Sequence, residues 1–270
     1  MTSGRWPIAP TSTRAACRSV ADRIFAVLDA CAASNRALSL AELVEVTGLP
    51  KTTLHRTCWK LVELGALEGG VGGFSIGTRL FALGSLNPSL RRLRVAAMPS
   101  LHKLCTSTGG VASLAVPWYG QALVVEEVYP KGSKMPRMLG AALPIHCTAA
   151  GKALIAGLPA AERDAILGDG LLPAATWRTL VRADMLRRHL DVVARKGIAY
   201  SLEEWHLGIC GVAAPVVANG EVQAAIGYVG LPEPDLVRRV GDVVQQAAQE
   251  LAEELVRAQP GSMTKLVSVG

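Results

Sequence analysis

The chain has 270 residues, half of them hydrophobic, which sets a prior of about two domains and supplies enough apolar side chain to bury a real core. Its longest run without charge, Thr106 to Val125, is broken by Gly109, Gly110, Pro117, Gly120 and Gln121 into two strands and a turn, so no membrane span is predicted. Residues 1–105 hold 13 Lys and Arg against 6 Asp and Glu, a balance of +7, which leaves −1 for the rest of a +6 chain and predicts a front end that meets a polyanion.

Residues 1–18, rich in Ser, Thr and Pro, with arginines and no acid, are expected to form a disordered tail without the apolar core of a secretory signal. From Ser19 to Ala33 the residues Val20, Ile24, Val27, Leu28 and Cys31 recur at helical spacing and predict a first helix. Ser39 and Glu42 stand three apart, where each side chain can bond the other's free backbone N–H, so a second helix starts there. It carries an apolar stripe of Leu40, Leu43 and Val44, and Gly48 ends it. Pro50 suits the first turn of a third helix, whose buried face is Leu54, Cys58, Leu61 and Val62.

About half way round that third helix stand Thr52, Thr53, Arg56, Trp59 and Lys60, with Lys51 at the helix start and His55 at the edge of the face. This set is basic, rich in hydrogen-bonding groups and almost free of acid. A recognition helix reads the major groove with such residues, while a helical hairpin with a solvated basic face fits the pattern equally well. The following EGGVGGFSIG reads as a small hairpin, a wing, made from Ala66-Leu67 and Phe74 to Ile76. It has no Lys or Arg, so any phosphate contact there would use backbone N–H groups.

Thr78 to Leu86 is an apolar connector stopped by Asn87-Pro88, and a candidate dimer contact. Ser89 to Cys105 is predicted helical, with Leu90, Leu93, Ala97, Leu101 and Leu104 opposite Arg91, Arg92 and Arg94. Strands are predicted at Val111 to Val116, Ala122 to Val128 and Met138 to Ile145, then a helix at Thr148 to Gly157. Leu186, Leu190 and Val193 mark another helix, which Gly197 ends. Val212 to Val217 and Val222 to Val229 form a hairpin around Asn219-Gly220. A last helix follows Pro232 and Pro234. Hairpins with helices grouped around them indicate an α+β domain. The six cysteines, at 17, 31, 58, 105, 147 and 210, make no CxxC pair and no zinc spacing, and read as reduced and mostly buried, hence a cytoplasmic protein.

Several segments, in order, carry a family resemblance: LAELVEVTGLPKTTLHRTCWKLVELG with GFSIG, LPIHCTAAGKALIAG at 143–157, RKGIAYSLEEWHLGICGVAAPV at 195–216 and NGEVQAAIGYVGLP at 219–232. Over nearly all of residues 19–258 the sequence resembles the IclR family of bacterial transcriptional regulators. The resemblance implies an α+β protein with an N-terminal winged helix-turn-helix (19–77), a linker helix (78–88) and a GAF-like effector-binding domain (89–258), with 259–270 a C-terminal tail. It also implies a homodimer or dimer of dimers.

Family members that bind small keto acids place contacts at the positions of Met135, Leu143, Ala149, Ala150, Ser201, Ile209, Gly211, Gly227 and Val229. An acidic residue stands there at the place of Ser201, a cysteine at Gly211, and serines at Gly227 and Val229. Losing those polar groups predicts a roomier, more apolar pocket and a larger organic acid or related metabolite, aromatic acids included. The free N–H groups near Ala149 and Ala150, at a helix start, would favour a carboxylate. Alternatively, His146 caps or fills and Lys152 is simply solvated.

The predicted function is therefore a sequence-specific regulator. Its partners are double-stranded DNA carrying a near-palindromic operator and a small-molecule effector, with no membrane partner. Two alternatives stay open. One is a metabolite-binding protein whose front domain contacts another protein. The other is a cysteine-dependent hydrolase drawing on His146, Cys147, His206 and Cys210, or on Glu203-Glu204. Adjacent side chains usually point to different sides, and no GxSxG elbow, phosphate loop or metal triad is present. No catalytic residue, metal or cofactor is predicted.

Overall fold

The structure, a computed structural model, describes residues 19–232 and 234–258, and the tails expected at 1–18 and 259–270 lie outside those residues. The chain forms two compact units that divide between Arg91 and Arg92.

In the first unit, helices α1 (Val20–Ala32), α2 (Leu40–Thr47) and α3 (Lys51–Glu63) are followed by a hairpin of β1 (Leu67–Gly70) and β2 (Gly73–Ile76) and by helix α4 (Thr78–Ser85). Both α1 and α2 open on reciprocal capping boxes, Ser19 with Asp22 and Ser39 with Glu42. Gly48 ends α2 at φ 70°, a left-handed conformation that a β-carbon would strain. Pro50 sits one position earlier than expected. At φ −57°, ψ 138° it precedes the helix, and its carbonyl accepts the first helical bond, from Leu54 N–H at 2.9 Å.

Val27, Cys31, Leu43, Leu54, Cys58 and Leu61 meet Leu67 and Phe74 of the hairpin in one buried cluster. Truncating a side chain such as Leu54 would cost roughly 2–5 kcal/mol, because the cavity only partly collapses. Leu38 exchanges two 2.8 Å backbone hydrogen bonds with Phe74, which ties the wing to the α1–α2 connection. Val20, expected on the buried side of α1, is exposed, because the cluster reaches back only to Ile24. In α4 Leu80 packs on this cluster, whereas Phe81, Leu83 and the C-capping Leu86 stay exposed.

The second unit joins helix α5 (Pro88–Thr108), from Arg92 onward, to strands β3 (Val111–Trp118), β4 (Gln121–Val128), β5 (Ala142–Pro144), β6 (Ala199–Leu202), β7 (Cys210–Ala218) and β8 (Glu221–Gly230). Helices α6 (Ala149–Ala156), α7 (Ala160–Leu167) and α8 (Ala183–Lys196) lie between β5 and β6 in the chain, and α9 (Pro234–Arg257) follows β8. The sheet order is β5-β4-β3-β8-β7-β6, with every neighbouring pair antiparallel. Asn219 and Gly220 turn the β7–β8 hairpin at φ 55° and 79°, the pair of positive values that a two-residue loop requires. Pro117 and Pro215 lie inside strands without breaking the sheet. Pairing of β3 with β8 stops at Ala115 and that of β7 with β6 at Ala213, so each proline has a neighbour on one side only.

Alternation along the strands sorts the faces. Ala115, Ala199, Ala213 and Ala225 meet α6 and α8 in an apolar cluster. On the other face Glu126 of β4 pairs with Arg94 of α5 at 2.9 Å, and Tyr200 approaches α9 at Gly241. Lys103 of α5 and Glu250 of α9 pair at 2.6 Å. The strand expected over Met138 to Ile145 shrinks to Ala142–Pro144. Gly140, at φ 80°, turns the chain before it, and Met138 N–H bonds the Glu127 carboxylate instead of a strand. Two elements beyond those the sequence predicts, α7 and β6, complete the unit.

Candidate nucleic-acid interface and effector site

On α3 the side opposite the buried Leu54, Cys58 and Leu61 presents Lys51, Thr52, His55, Arg56, Trp59 and Lys60 to solvent, with Thr53 half-buried. The first turn contains no acid and no side-chain cap. The N–H groups of Lys51, Thr52 and Thr53 therefore have no partner within the helix, and their partial positive charge adds to that of Lys51. Arg56 makes no hydrogen bond or ion pair among the described residues. Such an end suits phosphate, and a free guanidinium suits a guanine edge.

Two members of the set also have partners inside the unit. Lys60 pairs with Glu63 at 2.8 Å, an exposed pair worth about 0–1 kcal/mol, so one acid does stand beside this face. Trp59, 44 % exposed, meets Phe74 of β2 edge-on, with ring centroids 5.7 Å apart at 81°. It fixes the wing to α3 with one part of its surface and leaves the rest free.

In the second unit, strand register assembles most of the other predicted set. Ser201 pairs with Gly211 and Gly211 with Val229, giving one row across β6, β7 and β8. Gly227 stands in the next row, between Ala213 and Ser113. This is the α6 face, since a Cβ placed on Gly211 would lie 3.3 Å from the Ala149 Cβ. Thr148 caps α6: its Oγ1 accepts from Gly151 N–H at 3.1 Å and donates to Pro144 O at 2.8 Å. The N–H groups of Ala149 and Ala150 are left without a helical partner. Leu143 and Ala150 pack on the apolar cluster beneath. Ile209 lies two residues before Gly211, its carbonyl accepting from Glu203 N–H at 3.0 Å. Met135 is half-buried in the β4–β5 connection, and no described contact joins it to these rows.

Space at the glycines differs from expectation. A Cβ on Gly227 would lie 2.5 Å from Val212 O and 2.9 Å from the Ala213 Cβ, and Ala149 covers Gly211. Neighbouring atoms already fill the space a side chain would take at either glycine, so these two positions do not enlarge a pocket. Ser201 acts as a tether: its hydroxyl donates to Cys147 O at 2.8 Å.

Lys152, one turn into α6, is not solvated. It is fully buried, and its Nζ donates to Glu204 Oε1 at 2.6 Å. Burial pushes the lysine below its ordinary range. Glu204 Oε2 is buried without a hydrogen-bond partner among the described residues. Sequence spacing does not point to this pair, because 52 residues separate its members. His146 does not cap α6; its Nε2 lies 2.9 Å from Pro173 O.

The hydrolase alternative finds no support. Burial, reinforced by the Glu204 carboxylate, pushes the Cys147 thiol up to about 12, far from a thiolate nucleophile. Glu203 turns the opposite way from Glu204, to Arg178 at 3.2 Å and Gly208 N–H at 2.8 Å. Among the described residues no three His, Cys, Asp or Glu are placed to hold a metal, and no helix is long and apolar enough to cross a membrane.

A helix-turn-helix unit with a wing, followed by an α+β unit whose sheet face is closed by a helix start, is the architecture of a DNA-binding regulator with a ligand-binding domain. Residues 20–69 match the IclR helix-turn-helix domain, and residues 89–257 match the family described as bacterial transcriptional regulator IclR, C-terminal. The chain is 30% identical over 243 residues to the glycerol operon regulatory protein of Streptomyces coelicolor, covering 85% of this chain and 95% of that one. It is also 30% identical over 257 residues to the acetate operon repressor of Salmonella typhimurium, covering 92% and 94%. Among solved structures, an IclR homolog from Microbacterium hydrocarbonoxydans complexed with 4-hydroxybenzoate superposes with a TM-score of 0.78 at 25% identity, covering 88% of this chain and 98% of that one. The chain belongs to the IclR family of bacterial transcriptional regulators, and it is a regulator rather than an enzyme.

Proposed function

We propose that the protein binds a near-palindromic operator through α3, with Lys51, Thr52, Thr53, His55, Arg56, Trp59 and Lys60 as the contact set. Two copies place their α3 helices in major grooves about 34–36 Å apart, one helical turn of DNA. Val20 and Phe25 of α1, Phe81 and Leu83 of α4 and Leu86 just after it, all exposed, supply apolar surface for pairing the copies. The observation that carries this reading is the exposed, acid-free first turn of α3 beside an uncommitted Arg56. Acting on DNA, the protein works in the cytoplasm.

The effector in this reading is a small organic acid, aromatic acids included, held against the rows of Ser201, Gly211, Gly227 and Val229 in front of Ala149 and Ala150. Leu143, Ile209 and Met135 complete the contact set. The α6 N–H groups and the 4-hydroxybenzoate bound by the Microbacterium relative support an acid. The effect on the operator in this reading is repression, as in the acetate operon repressor of Salmonella typhimurium.

Arg56→Ala tests the DNA half. Specific binding to the DNA upstream of the protein's own gene, followed by footprint titration, should weaken by about 1–3 kcal/mol, roughly 5- to 150-fold, with the second unit still folded. Unchanged affinity would remove Arg56 from the interface.

A further inference from the structure

The corner between β6 and β7, residues 203–209, holds a buried acceptor without a partner among the described residues, Glu204 Oε2. Both ends of the corner belong to the set placed against the effector. Ser201 stands two residues before it and Ile209 closes it, with Glu203 N–H bonding Ile209 O at 3.0 Å one step beyond the Leu202–Cys210 pair. Glu203 sits at φ 59°, a left-handed conformation that costs energy in any residue with a β-carbon, and its ties to Arg178 and to Gly208 N–H hold it there. Glu204, only 8 % exposed, turns from this corner to Lys152. Helical side chains lean toward the helix N-terminus, so Lys152 Nζ reaches back beside the first turn of α6. Cys147, just ahead of the Thr148 cap, accordingly lies within electrostatic reach of both Lys152 and Glu204. The carboxylate therefore stands at the end of α6 that leaves the N–H groups of Ala149 and Ala150 free.

A buried carboxylate oxygen needs a donor. The side-chain donors that meet this corner are committed elsewhere: Lys152 Nζ to Oε1 at 2.6 Å, Thr176 to Glu203 O at 2.7 Å, Thr179 to Glu204 O at 2.6 Å and Ser201 to Cys147 O at 2.8 Å. His189 Nε2 of α8, also buried and within reach of the Lys152 charge, makes no hydrogen bond among the described residues. Lys152 already balances the charge of Glu204, so the missing partner is a neutral donor and not a second cation. We propose that Glu204 Oε2 accepts a hydrogen bond from a hydroxyl of the effector, which makes the effector a hydroxylated organic acid. This rests on the organic-acid reading above and assigns a second group of the same molecule, whose carboxylate stays with the α6 N–H groups.

The test is calorimetric titration of the full chain with 3-hydroxybenzoate, 4-hydroxybenzoate and lactate, each beside its unsubstituted parent acid and its methyl ether, which keeps the oxygen and removes the proton. The wild type should bind one hydroxy acid at least about tenfold more tightly than both its parent and its ether. The double variant Lys152→Met with Glu204→Leu, which leaves no charge unpaired, should bind that hydroxy acid and its parent alike. Glu204→Gln, whose amide oxygen faces Lys152 and whose N–H group replaces Oε2, should no longer distinguish hydroxyl from ether. Thermal unfolding checks that the variants fold, and the wild-type comparison stands without them. Parent acids bound as tightly as every hydroxy acid, or a hydroxyl preference kept in the folded double variant, would overturn the assignment while leaving the organic-acid reading intact. Failure of all the acids to bind the wild type would overturn that reading and this proposal with it.

Discussion

Glu42 shows how much a single side chain on the surface can organise. Its carboxylate bonds the Arg36 guanidinium and the Ser39 N–H and hydroxyl, and these partners, Arg36 first, lower it from 4.5 to about 2. A depressed carboxylate stabilises the fold above its unfolded value and loses that contribution as pH falls through the folded one. The difference in melting temperature between wild type and Glu42→Gln should be full above pH 4.5 and vanish near pH 2, read by helical circular dichroism. A gap independent of pH would contradict the pairing. Gly227 makes the reverse point, as a position with no room for a side chain. With Val212 O at 2.5 Å from the added Cβ, Gly227→Ser should destabilise the protein by about 1–3 kcal/mol and not strengthen acid binding. Tighter acid binding at unchanged stability would show that the space is open after all.

Among the elements, α6 depends on a contact that crosses much of the chain. Removing one partner of a buried ion pair leaves the other charge uncompensated, whereas replacing both with apolar groups of similar volume is often neutral. Glu204→Ala should therefore lower stability by about 3–5 kcal/mol, and the double variant Lys152→Met with Glu204→Leu should recover most of it in urea unfolding. Equal losses in the single and double variants would mean the pair is not coupled. This element also marks where sequence reasoning ends. Ser39, Glu42 and Gly48 lie within one helix and its caps, so spacing alone predicts that helix, and Asn219-Gly220 predicts its hairpin as directly. The Lys152–Glu204 contact and the Glu127 clamp on Met138 depend on which strands become neighbours, and no local periodicity encodes that. For the same reason Val20 follows the helical spacing of its neighbours yet lies outside the cluster.

For the whole molecule, the exposed face of α3 follows directly from the chain, because the buried Leu54, Cys58 and Leu61 fix which side is left over. The rows proposed for the effector were legible only through family resemblance, since Ser201, Gly211, Gly227 and Val229 sit on three strands and meet through register. What the sequence concealed was how closely the Val212 carbonyl, Ala213 and Ala149 stand to Gly227 and Gly211. Coupling between the two units is reciprocal: an acid that changes operator affinity has its own affinity changed by the same factor, typically about 1–3 kcal/mol.

The most direct measurement is operator affinity by fluorescence anisotropy with and without a saturating organic acid, paired with acid affinity with and without operator. The account predicts equal factors of roughly 5- to 150-fold in both directions, with DNA binding that weakens steeply as salt rises. Operator affinity unchanged by an acid that demonstrably binds the second unit would contradict it.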